Sequence, residues 1–200
     1  MTGVDLSETR INDAKLFFKK NNAEGQFIVA DICTITEFNY CYDIILCHDV
    51  IEHIENKEFF LRKIMTFLKN DGVVFMAFPA WQMPFGGHQQ ICRSRLLSHL
   101  PFIHLLPSKI YCNLLKLFGE DEVCIKELMN IKKTKCPIEL FENLLKRVGF
   151  SCKRRDMYFI NPHYEVKFGL HPIKLYPLIA NIPYIRNFFT TSSFYILELK

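Results

Sequence analysis

The sequence predicts an α/β fold with a mainly parallel sheet. The first observation is a strand–helix–strand stretch between residues 42 and 81, in which two short apolar runs, 44–47 and 73–78, flank an amphipathic segment. The continuous run 44–47 predicts a strand that is buried on both faces of a parallel sheet. The second is that strands and helices alternate along the first half of the chain. Two parallel strands joined by a helix need a right-handed crossover, which places the carboxyl ends of both strands at one edge of the sheet.

The helix between these two strands has recognisable ends. Asn56 is a suitable N-cap, and Phe60, Ile64 and Phe67 repeat at helical spacing. Gly72 stands where a left-handed residue would end the helix. The sequence therefore predicts a helix from residue 57 to about residue 71.

The first 31 residues repeat the alternation. Residues 1–5 resemble the end of a strand that finishes at Asp5, and Ser7 can cap a helix that ends before Gly25. Residues 26–30 form a second short apolar run, and Asp31 follows it. Each of these two strands is therefore predicted to end in a carboxylate.

The second half of the chain is less regular, and we expect a single domain over residues 1–200 that carries two insertions. Residues 82–135 are predicted to be a helical insertion after the strand at 73–78. This strand is called the fifth because the count includes one expected strand before that of Asp5. A helix is expected from Pro137 to Gly149, followed by strands at 150–159 and 193–199. Residues 160–190, rich in proline and aromatic residues, are too apolar for a linker and are predicted to be an insertion between the last two strands.

Composition excludes several classes of function. A net charge of +4 is too small to indicate nucleic-acid binding, and no apolar run is long enough for a transmembrane helix. The eight cysteines contain no CxxC pair and no Cys/His cluster at zinc spacing, so we expect no metal site. Free thiols and the lack of a signal peptide favour the cytoplasm.

Asp5 and Asp31 are suited to an adenosine-containing ligand that lies across the carboxyl ends of the strands. Asp5 can accept both ribose hydroxyls, and Asp31 can accept from an exocyclic amine while Ile32 packs on the purine. Each aspartate alone is equally well explained as a turn residue.

Four segments carry a resemblance to a known family. TGVDLS, ADI, YDIILCHDVIEHI and LKNDGVVFMAFP are similar to class I S-adenosylmethionine-dependent methyltransferases, in the branch that includes ubiquinone- and menaquinone-biosynthesis enzymes. The resemblance implies a Rossmann-like sheet with a closing antiparallel hairpin, and S-adenosylmethionine as cofactor. It also implies cofactor contacts that extend along the strand ends, namely Asp5, Leu6, Asp31, Ile32, Cys47 and His48.

One family feature has no counterpart here. Members of the family carry a glycine-rich loop after their first strand, and no such loop precedes Asp5. Gly86 and Gly87 come after the fifth strand and cannot replace it. We therefore expect an N-terminally truncated sheet, either because the chain is a fragment or because cofactor binding has been lost.

Two histidines are candidates for acid–base catalysis. His53 follows Glu52 at the start of a helix, where the pair can serve as a base with its orienting partner or as a purely structural bridge. His88 lies in the loop after the fifth strand, where the resemblance places the acceptor, although a loop histidine is commonly a surface residue.

The sequence thus predicts methyl transfer to a small-molecule or lipid-like acceptor, with activity of this chain in question. Three alternatives remain: a non-catalytic interaction module, a nicotinamide oxidoreductase that uses Asp5 for the ribose, and a peripheral membrane protein that uses residues 96–118 and 170–189. The acceptor, its reacting atom and the oligomeric state cannot be read from the sequence.

Overall fold

The computed structural model describes all residues from Met1 to Lys200. Its strands are β1 (Thr2–Asp5), β2 (Gln26–Val29), β3 (Tyr42–His48), β4 (Leu68–Phe78), β5 (Phe150–Ile160), β6 (Ile173–Lys174) and β7 (Ser192–Leu199). They form two sheets, a two-stranded sheet β1–β2 and a five-stranded sheet in the order β3–β4–β7–β5–β6. Pairing is parallel for β1–β2 and β3–β4 and antiparallel for the others. The predicted α/β fold with a carboxyl-terminal antiparallel part is confirmed.

Nine helices surround the sheets. They are α1 (Glu8–Lys20), α2 (Lys57–Phe67), α3 (Arg95–His99), α4 (Ser108–Leu117), α5 (Glu122–Thr134), α6 (Ile138–Val148), α7 (His163–Phe168), α8 (Pro177–Ala180) and α9 (Ile185–Phe189). Short 3-10 turns occur at Ile51–His53, Gln89–Ile91 and Ile103–Leu105. None of the helices combines the length and the apolar character that crossing a membrane requires.

The caps of the helices explain where several of them begin and end. The Asn56 side chain accepts from the Phe59 N–H at 3.1 Å and begins α2, as predicted. Gly149 ends α6 with a φ of 101°, a conformation that glycine adopts without steric cost. Ser7 caps α1, although its bond to the Arg10 N–H is long at 3.4 Å.

The predicted end of α2 at Gly72 is wrong. The helix ends at Phe67, and Gly72 lies inside β4. The reason for a glycine is close packing: a Cβ there would lie 2.7 Å from Leu68 Cδ1 and 2.9 Å from the Tyr42 carbonyl oxygen.

The expectation that β3 is buried on both faces is also wrong. β3 is the outer strand of its sheet, and Ile44 and Leu46 are 63% and 69% exposed. Ladder hydrogen bonds do not connect β3 to β1 or β2. The two sheets are instead held by apolar packing, since Val4, Ala30 and Ile32 lie against the main core.

The main core lies between the five-stranded sheet and helices α2 and α6. Its largest buried side chains include Phe60, Phe78, Phe141 and Tyr195, and Phe78 and Phe141 meet edge to face at 4.7 Å. This core fixes β3 and β4, whose carboxyl ends carry the candidate site.

The first of the two predicted insertions has its own apolar cluster, whereas Leu175 of the second packs against Ala80, Ile138 and Met157. Residues 82–135 contain α3, α4 and α5 around a second apolar cluster that includes Leu97, Tyr111 and Leu128. Residues 160–190 contain α7, β6, α8 and α9. Their status as insertions relative to other proteins stays a prediction.

Candidate functional site

The carboxyl ends of β3 and β4 place polar groups at one edge of the sheet. His48 ends β3, and Asp49 follows it with a φ of 52°, a strained value for a residue other than glycine. The Asp49 N–H donates to the Ala77 carbonyl of β4 at 2.9 Å, which holds this turn against the neighbouring strand. His48 Nδ1 and Asp49 Oδ2 are 3.1 Å apart, and both side chains are about half exposed.

Glu52 is the most unusual side chain in this region. It is only 4% exposed, and both of its carboxyl oxygens are buried without a hydrogen-bond partner. Burial, assisted by the charge of Asp49, raises the pKa of Glu52 to about 8. Glu52 is therefore largely protonated at neutral pH.

His53 and His88 come together beside Glu52. Their ring centroids are 5.2 Å apart, with an angle of 83° between the ring planes. Burial lowers the pKa of both imidazoles, and the charge of Asp49 opposes that effect in both. Both rings are consequently neutral at pH 7 and able to accept a proton.

The loop after β4 positions His88 by close packing. A Cβ on Gly87 would lie 2.1 Å from His104 Cβ, and a Cβ on Gly86 would lie 2.3 Å from the Trp81 carbonyl oxygen. His104 is fully buried, and its Nε2 is 2.8 Å from the Trp81 carbonyl oxygen. The two glycines thus let the loop fold tightly against the helical segment and turn His88 toward His53.

The same helical segment is anchored to the turn that carries Glu52. The Thr134 hydroxyl donates to the Glu52 carbonyl at 2.6 Å, and the Lys57 ammonium donates to the Thr134 carbonyl. An open cleft of about 350 Å³ lies between α5 and His53, and its other lining residues are Val123, Lys126, Glu127, Asn130, Ile131 and Thr134. His53, one of the two paired histidines, therefore borders a solvent-accessible space.

Asp5 lies in the same region as His53. Its Oδ1 accepts from the Ser7 N–H at 2.7 Å, and its Oδ2 is 3.6 Å from the Arg10 guanidinium. The charge of Arg10 is one of the causes that lower the pKa of His53, so the carboxyl end of β1 approaches the histidine pair.

The other predicted cofactor residues differ in accessibility. Asp31 is exposed, and its side chain accepts from the Cys33 N–H at 2.8 Å, as a turn residue would. Ile32 is partly buried and packs against the main core. Leu6 is 73% exposed, whereas Cys47 is buried in the core and burial raises the pKa of its thiol to about 12. The Cys47 side chain thus points away from a ligand at the sheet edge, and only its backbone could meet one.

The cluster of Glu52, His53 and His88 can act chemically in two ways. One ligand atom from each residue lies within 4.8 Å of the others, and two imidazoles with a carboxylate are a donor set that divalent transition metals accept. Without a metal, the neutral imidazoles are general bases supported by a carboxylic acid.

Sequence reasoning did not include Asp49, Arg10 or the unpaired carboxyl of Glu52 in the site. The Glu52–His53 pairing was visible in the sequence as adjacent residues. The positive φ of Asp49 and the approach of Arg10 are tertiary features without a sequence signal.

Residues 1–76 match the family described as "Methyltransferase domain". Over these residues the chain is similar to methyltransferase domains. The predicted resemblance is thereby confirmed over the strands that carry Asp5, Asp31 and the Glu52–His53 turn. The match ends within β4, before His88.

Curated relatives cover the same part. A ubiquinone biosynthesis O-methyltransferase from Rickettsia canadensis is 26% identical over 77 residues, which are 38% of this chain and 32% of that protein. The protein of the same name from Pelagibacter ubique is 30% identical over 77 residues, with the same coverage of 38% and 32%. The matched part thus spans about a third of the length of these relatives.

Solved structures extend the likeness in fold to the whole chain. An S-adenosylmethionine-dependent methyltransferase from Clostridium acetobutylicum aligns with a TM-score of 0.56 at 12% identity, over 99% of this chain and 74% of that one. Magnesium protoporphyrin IX methyltransferase from Synechocystis PCC 6803, with bound SAH, aligns with a TM-score of 0.53 at 14% identity, over 100% and 63%. At these identities the likeness concerns the fold.

Proposed function

We propose that this chain takes part in S-adenosylmethionine-dependent methyl transfer to a hydroxyl oxygen on a small or lipid-like acceptor. The main support is the pair of neutral imidazoles, His53 and His88, beside the buried Glu52. The pair lies near the carboxyl ends of β3 and β4, and residues 1–76 match the methyltransferase-domain family. The choice of oxygen is supported by the names of the curated relatives, which are O-methyltransferases.

The residues present fit the adenosine half of the cofactor. Asp31 has one carboxylate oxygen free of protein partners, and Asp5 has an oxygen held only by a long contact to Arg10. Leu6 is an exposed leucine next to Asp5 that a ribose or purine would cover. Asp5 would hold the ribose, and Asp31 with Ile32 would hold the adenine.

When bound, S-adenosylmethionine supplies a methyl group on a sulfonium sulfur, whose transfer depends mainly on positioning and exclusion of water. The chain's own task is to hold the acceptor and remove its proton. Neutral His88, in the loop after β4, accepts the hydroxyl proton, and His53 orients it. Glu52 stays protonated at neutral pH and adds no negative charge beside the bases.

Exposed apolar side chains support a lipid-like acceptor. The segment 160–190 exposes a set of large residues that face solvent on α7, α8 and their flanks: Val166 87%, Phe168 59%, Tyr176 64%, Leu178 70% and Tyr184 69%. Such a surface suits contact with an apolar tail or with the membrane that holds it. Eight free cysteines support a reducing compartment, the cytoplasm, as the place of reaction.

Calorimetric titration with S-adenosylhomocysteine tests the proposal. We would titrate this chain, a form extended at the amino terminus by a strand and a glycine-rich loop, and the Asp31→Asn variant of each. Binding by the extended form, weakened by Asp31→Asn in that form, is the expected result. If neither form binds, the methyltransferase mechanism fails.

Failure of both forms would favour a non-catalytic interaction module. The specific observation for that alternative is the unpaired edge of β3 with the exposed Ile44 and Leu46, which another chain could pair. A pull-down with the β3-edge variant Leu46→Lys would then separate edge pairing from other modes of association.

A further inference from the structure

A buried group of metal-binding side chains lies inside the helical segment 82–135, apart from the site at the sheet edge. Cys92, Glu120 and Cys124 are 7%, 7% and 9% exposed, and one ligand atom from each lies within 4.8 Å of the other two. Ligand atoms on a tetrahedral zinc ion are roughly 3.4–3.8 Å apart, so small side-chain rotations bring these three to coordination distance.

The backbone holds the carboxylate in a fixed position. Glu120 accepts from the Arg93 N–H and the Ser94 N–H, both at 2.9 Å, which joins the start of α5 to the loop that carries Cys92. Each carboxylate oxygen keeps a second lone pair for a metal ion. Cys124 is the third residue of the 13-residue helix α5, and its N–H donates to the Asp121 side chain at 2.7 Å, which fixes the start of the helix.

The two thiols share one buried space. Cys92 and Cys124 pack in the same apolar cluster, which also holds Tyr111 and Leu128. A divalent cation would take both thiols, after loss of their protons, and the Glu120 carboxylate as ligands.

A second, independent observation points to the same place. Tyr111 is completely buried, and its hydroxyl has no hydrogen-bond partner. Tyr111 packs in the same buried cluster as Cys92 and Cys124. A buried, unpartnered hydroxyl is costly unless something at the centre of the group accounts for it, as a fourth ligand or a hydrogen bond to metal-bound water would.

We infer that Cys92, Glu120 and Cys124 bind one zinc ion, with Tyr111 at the fourth position or next to a water there. A site buried in this way is typical of a structural rather than a catalytic metal ion. The ion would join α5 to the loop after β4. It would thereby stabilise the helical segment 82–135, which contacts Glu52 through Thr134 and carries His88. This inference does not depend on the methyltransferase activity.

The test uses the whole chain, reduced and freed of metal by a chelator, and adds zinc or cobalt chloride alone. The wild type is expected to bind cobalt with near-ultraviolet absorption from thiolate-to-metal charge transfer, which the Glu52–His53–His88 cluster cannot produce. Zinc is expected to displace the cobalt and to raise the temperature of unfolding.

The matched control is Cys112→Ser, which alters a cysteine of α4 that lies outside the group. That variant should keep the absorption, whereas Cys92→Ser and Cys124→Ser should each lose at least half of it, and the double variant should lose all of it. Glu120→Gln preserves the side-chain size and both thiols, so it tests the site with the packing retained, and at least a tenfold weaker affinity is expected. Absence of charge-transfer absorption in the wild type, or its full persistence in Cys92→Ser, would overturn the inference.

Discussion

His53 and His88 differ from surface histidines because burial lowers both pKa values and keeps the rings neutral at pH 7. A base that must be neutral works fully above its pKa and fails as the pH falls through it. Methyl transfer by the extended form is therefore expected to be constant near pH 7 and to decline only below the ordinary histidine pKa of 6.5.

Replacing His88 tests its role directly. His88→Gln should lower kcat by about 10²-fold or more, because a general base typically contributes that much, while the affinity for S-adenosylhomocysteine stays unchanged. His171→Gln is the control, since that side chain is 89% exposed and pairs only with Glu165. An unchanged kcat in His88→Gln would contradict the assignment of the base.

Glu52 makes stability depend on pH with a definite sign. Its folded pKa, about 8, lies above the ordinary value of 4.5, so the folded state holds its proton while the unfolded chain loses it. The resulting stability is complete below pH 4.5 and is lost as the pH rises toward 8, by up to about 1.4 kcal/mol per pH unit.

Glu52→Gln removes this titration. The free energy of unfolding of the variant relative to wild type should rise by about 3 kcal/mol between pH 5 and pH 8, measured by urea denaturation at each pH. Glu24→Gln, which changes an exposed carboxylate, should show no such trend. A parallel pH dependence in wild type and Glu52→Gln would show that Glu52 ionises normally.

At the scale of elements, a buried ion-pair network joins α9 to α6. The Arg186 guanidinium, 6% exposed, donates to Glu139 at 2.9 Å and to Glu142 at 2.7 Å. Asn187 adds a bond to Glu139 and accepts from the Ile138 N–H at 2.9 Å. These contacts fix the end of the 160–190 segment against the core helix.

Arg186→Met should destabilise the chain by about 3 kcal/mol, because it leaves the partly buried Glu139 without a cation and Glu142 with Arg155 alone. Arg62→Met is the matched control: Arg62 pairs with Glu58 on the surface of α2, where a loss of at most about 1 kcal/mol is expected. If denaturant unfolding showed equal losses of stability in the two variants, the network would contribute no more than a surface ion pair.

The same network has its own pH dependence. Burial alone would raise the pKa of Glu142, but hydrogen bonds from Arg155 and Arg186 lower it below 4.5. The stability it provides is therefore present above pH 4.5 and disappears as the pH falls through the lowered value. The difference between Arg186→Met and wild type should accordingly shrink in acid.

For the whole molecule, the parts that the sequence predicted are those with local signals. The cap at Asn56, the end of α6 at Gly149 and the apolar runs of β3 and β4 each depend on neighbouring residues. The histidine pair required the loop after β4 to fold back, and Gly86 and Gly87 were visible only as loop residues.

The buried cysteine group was beyond sequence reasoning for a related reason. Cys92 and Cys124 are separated by the helices α3 and α4. They therefore form neither a CxxC pair nor a typical zinc-binding spacing from which a metal site could be predicted. The exposure of Ile44 and Leu46 could not be predicted either, because the same apolar run occurs in central and in outer strands.

The separation of the two sheets leads to a prediction about how the molecule opens. Ile11 is the only fully buried residue before Ile35, and α1, β1 and β2 make their main contacts with one another. By contrast β4 is paired on both sides, and Val74 and Met76 are fully buried. We expect residues 2–29 to open as a unit at lower free energy than the five-stranded sheet.

Native-state hydrogen exchange followed by mass spectrometry measures this difference. Amides of β1 and β2 should exchange faster than those of β4 and β7, with little dependence on low concentrations of denaturant, because partial opening exposes little surface. Since Asp5 and Asp31 sit at the ends of β1 and β2, S-adenosylhomocysteine should slow exchange there selectively in whichever form binds it. Equal protection of Val4 and Val74 without ligand would mean that apolar packing alone joins the two sheets into one cooperative unit.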